Sequence, residues 1–97
     1  MRELVITNTA KEDIESISFF LESNFSNRVK TEFLLRLSEH FALIESMPFM
    51  HQVSETNPLV RRCVIHKNAA FFYQVTEELI IILAVFDTRA NPNNFQF

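Results

Sequence analysis

The run Leu79–Phe86 is apolar at every position. A strand with one wet face alternates apolar and polar residues, whereas an unbroken apolar run marks a strand covered on both faces. It follows two other strand-like runs, Leu59–Ile65 and Ala69–Val75, and the short turns between the three favour antiparallel pairing. A chain of 97 residues has little material with which to cover a sheet twice. The second face is therefore expected to meet a protein partner, and the isolated chain to be poorly soluble or to self-associate.

Upstream, Glu3 to Thr7 reads as a short strand. Thr9, with Glu12 three residues on, fits a capping box, and a first helix is expected to run to about Ser23 with Ile14, Ile17, Phe20 and Leu21 on one face. Asn24 to Asn27 is the break. Ser26 or Asn27 then caps a longer helix whose stripe is Val29, Phe33, Leu37, Phe41 and Ile44, with Arg28, Lys30, Glu32, Arg36 and Glu39 outside it. Pro48 stops that helix, and Phe49 to Pro58 has no periodicity and reads as a loop. The expected fold is α+β in the order β-α-α-β-β-β: an N-terminal strand, an antiparallel helical hairpin, then a three-stranded antiparallel meander, in one domain over residues 1–97. The chain contains no Gly, so a tight hairpin needing positive φ is expected to place it at Asn68.

Hydrophobic residues make up 47% and charged residues 22%, a globular composition. The single Cys excludes an internal disulfide and suits a reducing cytoplasm. Residues 1–20 lack the layout of a signal peptide, and the longest apolar run is too short to span a membrane, so a cytoplasmic location is expected. The net charge of −3 and pI near 5.5 argue against wholesale nucleic-acid binding. The distribution is uneven: residues 58–76 carry Arg61, Arg62 and Lys67 with no acid. A local basic site on the middle strands of an acidic body follows.

Arg61 and Arg62 are adjacent on a strand and so point to opposite faces; the ordinary reading is a solvated pair near a strand end. Lys67 sits in a hairpin turn, where a lysine commonly serves solubility. Tyr73, the only Tyr, shares a face with Phe71, and most such tyrosines pack with a satisfied hydroxyl. Asp87 at the strand exit suits a turn cap. Arg89 either pairs with it or serves a site, two readings that stand level. His40, His51, His66 and Cys63 show no ligand spacing, so no metal is expected. Cys63 is expected to pack as a small hydrophobe. Nothing resembles a nucleophile elbow or a glycine-rich phosphate loop, and no cofactor is expected.

The opening Val60-Arg61-Arg62, the turn His66-Lys67-Asn68, the aromatics Phe71-Phe72-Tyr73, the run Ile80-Ile81-Ile82-Leu83 and the exit Phe86-Asp87-Thr88-Arg89-Ala90-Asn91-Pro92 together resemble the RelE/ParE superfamily of bacterial toxins. With the N-terminal strand and two helices, the likeness covers nearly the whole chain. It implies the toxin of a type II toxin–antitoxin pair of the kind that stabilises plasmids, held in a hetero-oligomer with a cognate antitoxin that is expected to be small and acidic. The RelE-like branch cuts messenger RNA on the ribosome and commonly ends in a Tyr or His that moves protons; here Asn91, Asn93, Asn94, Phe95 and Phe97 cannot. The chain looks more like the ParE-like branch, which implies inhibition of DNA gyrase without catalytic residues. The alternatives are a ribosome-dependent endonuclease using Arg61, Lys67 and Arg89, and a degenerate module without toxicity. The resemblance implies target-binding residues Arg61, Arg62, Tyr73 and Arg89, with Arg89 at the concave end of the sheet; Arg61→Ala should act like Arg89→Ala if both reach that surface.

Overall fold

A computed structural model describes residues 2–90. Its elements are β1 (Glu3–Ile6), α1 (Asn8–Asn24), α2 (Asn27–Ser46), β2 (Arg61–His66), β3 (Ala69–Val75) and β4 (Leu79–Asp87). They form one four-stranded mixed sheet in the order β1-β4-β3-β2. The strands β2, β3 and β4 make the antiparallel meander, and β1 lies parallel to β4 with Glu3 opposite Leu79 and Ile6 opposite Ile82. A parallel pair needs a long connection, and here the two helices together with β2 and β3 make it.

The helices bury the stripes that their periodicity marks out. Ile17 and Leu21 of α1, with Phe33, Leu37 and Ile44 of α2, are buried against Cys63, Ile65, Phe71, Tyr73, Ile80, Ile82 and Val85 of the sheet. Phe41 meets Phe71 edge-on at a centroid distance of 4.9 Å. Between the helices only Phe25 and Ser26 intervene: the Phe25 amide closes α1 on the Leu21 carbonyl, and Ser26 Oγ accepts from the Val29 amide at 3.1 Å as the cap of α2.

The cap of α1 is Thr7, not Thr9. Thr7 Oγ1 accepts from the Ala10 amide at 3.1 Å, and Ala10 cannot return the bond as a capping box would. Tertiary structure makes the choice, because the same hydroxyl donates to the Ile82 carbonyl at 2.8 Å and so ties the helix start to β4. Where β1 has ended, Asp13 continues along this edge of β4, its carboxylate accepting from the Val85 amide at 3.0 Å. Burial raises the Asp13 carboxyl above its ordinary range, against the opposing pull of that amide.

Two strand irregularities set the phase of the sheet. Phe72 faces Ala84 but Tyr73 faces Ile82, so Leu83 is an extra residue on β4. Ile80 and Ile82 therefore join the helix-side core, Ala84 and Phe86 turn to the far face, and Val85 returns to the helices. The far face is not bare as expected. Val60, Ala70, Phe72, Ala84 and Phe86 form a second buried cluster there, with the Phe72 and Phe86 rings stacked at 5.8 Å. Open apolar surface on that side is found instead on β2, where Val64 is 52% exposed.

The other irregularity is Ile65, which is extra on β2 between the Val64–Ala70 and His66–Ala69 pairs. It answers the turn expectation: among the described residues none has positive φ, Asn68 included. A tight turn without positive φ twists against the hairpin, and a bulge beside it absorbs the mismatch. The start of β2 also differs. Asn57 Oδ1 accepts from the Leu59 amide and the Asn57 carbonyl accepts from the Val60 amide, so a side-chain-braced turn holds Leu59 and Val60 off the ladder. The loop before it is pinned, since Val53 bridges Arg61 and the Arg62 amide donates to the Gln52 carbonyl.

Candidate functional site

The meander sets its cationic residues at two ends of the sheet. Arg61 opens β2 opposite Tyr73, whereas Arg89 follows β4 beside the turn that pairs His66 with Ala69 and Ala69 with Asp87. Arg61 and Arg89 thus stand at opposite ends of the β2–β3 hairpin. Arg61 and Arg62 do point to opposite faces. Arg61 lies on the helix side, where its guanidinium donates to the His51 carbonyl at 2.7 Å and sits 5.0 Å from the centre of the Phe49 ring. Arg62 lies on the far side, 5.9 Å from the Phe86 ring. Tyr73 is wholly buried, its hydroxyl donating to the Pro48 carbonyl at 2.8 Å, and desolvation pushes the phenol up to about 12. It holds the loop after α2 to the sheet and presents no surface to a target. Cys63 is also buried, and its thiol is pushed up to about 11.

At the other end is a cleft of about 490 Å³ between α2 and the β2–β3 turn. Val29 and Phe33 form its apolar floor, and Glu32 and Arg36 stand on its α2 side. His66, Lys67 and Asn68 form the turn side, and Arg89 closes the cleft. Lys67 and Arg89 thus come together, without Arg61. The sequence does not single out Arg36, His66 or Asn68 as site residues. Arg36 reads as solvent-facing because it lies beside the α2 stripe, and only the packing of α2 over β2 turns that margin into a wall.

Arg89 is fixed. Asp87, with no solvent exposure, accepts from the Arg89 amide at 2.9 Å, from Nε at 3.0 Å and from a terminal guanidinium nitrogen at 2.7 Å. That fork holds the guanidinium cationic and raises its pKa further. The guanidinium also lies 5.9 Å from the centre of the Phe25 ring. His66 accepts the Asn68 amide on Nδ1 at 3.1 Å, which leaves Nε2 as the protonated nitrogen of a neutral ring. Burial first, and the nearby Arg89 charge second, lower the His66 pKa. The cleft is therefore rich in hydrogen-bond donors, with Glu32 its one carboxylate wall and Asp87 engaged beneath. Arg36 reaches Glu32 at 3.2 Å in an exposed pair one helical turn apart.

The family model described as ParE toxin of type II toxin-antitoxin system, parDE, matches residues 4–92. The chain belongs to the ParE toxin family. The match runs from β1 through the residues after Arg89, so it takes in every element described above. Among solved structures, the chain is similar to one from the chromosomal ParDE toxin–antitoxin system of P. aeruginosa, with a TM-score of 0.77 and 16% identity over 90% of this chain and 96% of that one. It is also similar to a chain of the E. coli DinJ-YafQ complex, with a TM-score of 0.64 and 10% identity over 93% and 97% of the two chains. The YoeB dimer of Staphylococcus aureus gives a TM-score of 0.59 and 14% identity over 88% and 94%. At these identities the likeness is one of fold. No curated protein matches the chain. No helix among the described residues is long and apolar enough to cross a membrane.

Proposed function

We propose that this ParE-family toxin acts as an inhibitor of DNA gyrase in the cytoplasm, is neutralised by a cognate antitoxin in a hetero-oligomer, and meets its target through the Arg89 cleft. The observation that carries this reading is how Arg89 is held. Its guanidinium is already paired with the buried carboxylate of Asp87, which leaves less of its charge to stabilise a transition-state phosphate. A fixed, paired arginine suits recognition, which needs direction more than free charge.

A second reading rests on His66. This neutral imidazole, with a lowered pKa, lines the same cleft as Arg36, Lys67 and Arg89 and could move a proton, so a ribosome-dependent endonuclease is the competing function. Induced expression with and without the antitoxin separates the two. Growth arrest with accumulated gyrase–DNA cleavage complexes supports gyrase inhibition. New transcript ends that disappear with His66→Gln support the endonuclease, and growth without arrest contradicts both.

A further inference from the structure

The Arg89 cleft has donors from three elements and a charge balance that fits a small anionic group. Arg36, Lys67 and Arg89 stand against Glu32 and the submerged Asp87. That surplus of one positive charge matches a single negative charge. A polyanion is disfavoured, because the chain carries a net charge of −3 and would repel a run of phosphates beyond the cleft.

The cations also differ in how firmly they are committed. Arg89 is anchored by its fork to Asp87, which aims its unused N–H groups. Arg36 is 47% exposed and its pair with Glu32 is a long one at 3.2 Å, so it can exchange partners with little loss. Lys67 is exposed in the β2–β3 turn and forms no ion pair among the described residues. His66 presents Nε2–H, since Asn68 occupies Nδ1. The apolar floor of Val29 and Phe33 admits the methylene stem of a side chain.

We propose that this cleft is a carboxylate-recognition site that takes an Asp or Glu side chain from an acidic segment of a partner protein, with Arg89 as the fixed anchor and Arg36 and Lys67 as adjustable flanks. The proposal rests on the reading of the cleft as the target-contacting surface, and it adds the chemistry of what enters.

The test titrates the full-length chain with three probes: a Glu-rich synthetic peptide, its Gln counterpart, and a single-stranded RNA of equal length. The Glu peptide is expected to bind, and to weaken as salt rises. The Gln peptide is expected to bind roughly tenfold more weakly or worse, as is the Glu peptide to Lys67→Glu. Lys67 is exposed in a turn, so that variant keeps its fold, which circular dichroism checks. Equal binding of the Glu and Gln peptides, tighter binding of the RNA, or an unchanged affinity in Lys67→Glu overturns the proposal. A gyrase assay run in parallel keeps the two readings apart. Selective, Lys67-dependent peptide binding without any effect on gyrase upholds the carboxylate site and removes gyrase as the target.

Discussion

At one end of the β2–β3 hairpin, Arg61 donates to a backbone carbonyl and lies against the Phe49 ring, which is 56% exposed. At the other end, Arg89 is gripped by a carboxylate with no exposure and borders a cleft floored by Phe33, which is 1% exposed. Both arginines are cations beside an aromatic residue, yet they do different things. Arg61, with Tyr73 bonded to Pro48, fastens the loop after α2 onto the sheet. Arg89 is itself fastened, and what it offers points outward. Arg61 gives one guanidinium donor to a carbonyl of that loop, whereas Arg89 gives two to Asp87 and is positioned by them at the cleft.

The aromatic residues should show the largest difference between the ends. Phe33→Ala is expected to cost about 3–5 kcal/mol, the usual loss for a fully buried Phe. Phe49→Ala should cost under about 1 kcal/mol, the scale of exposed cation–π contacts. Urea unfolding of both variants checks this, and equal shifts would erase the contrast.

Next in size are the arginines. Arg89→Ala leaves Asp87 buried without its partner, so the loss should be on the order of 3 kcal/mol. Arg61→Ala gives up one charge-assisted bond to a carbonyl on a part-exposed loop, about 1–2 kcal/mol. The ordering of thermal midpoints tests this; an Arg61 variant less stable than the Arg89 variant would reverse the roles. It also follows that loss of toxicity in Arg89→Ala cannot by itself mark a site residue, because the fold suffers with it.

The smallest effect is in the histidines. His51 at the Arg61 end and His66 at the cleft both have lowered pKa values, with desolvation the leading cause in each. The unfolded chain therefore binds protons first on acidification. Stability is held above the ordinary histidine pKa of about 6.5, and falls as pH drops from there through the lowered folded values. Only His66 also feels Arg89, so Arg89→Ala should raise the His66 pKa and leave that of His51 in place. An NMR titration of both rings decides it, and a joint shift would mean that the two ends are not independent.

Much of the fold is written in local patterns. The α2 stripe from Val29 to Ile44 has helical spacing and is the face that packs, and β3 runs from Ala69 to Val75 as its composition indicates. What the pattern cannot carry is phase and placement. An unbroken apolar run reads the same with or without an extra residue, so nothing local marks the bulge at Leu83 or the hidden cluster around Phe72. Thr7 and Thr9 both look like caps, and a carbonyl on β4 decides between them. At the site, the spacing of Asp87 and Arg89 already raises the ion pair as one of two readings. Arg36 and His66 enter the cleft only because α2 crosses over β2, a relation that no short stretch of sequence contains.

The central claim, that the cleft end meets the target while the Arg61 end secures the fold, is tested most directly away from the buried pair. The double variant Arg36→Gln, Lys67→Glu changes exposed side chains, so its stability should move by less than about 1 kcal/mol. Growth on induction is scored for it and for Arg61→Ala, alongside thermal unfolding of each full-length variant with its antitoxin. The expected result is that the cleft variant stays folded and loses growth arrest, while Arg61→Ala unfolds at a lower temperature and still arrests growth. Full arrest by a folded cleft variant, with arrest lost in a folded Arg61→Ala, would place the working surface at the other end of the sheet.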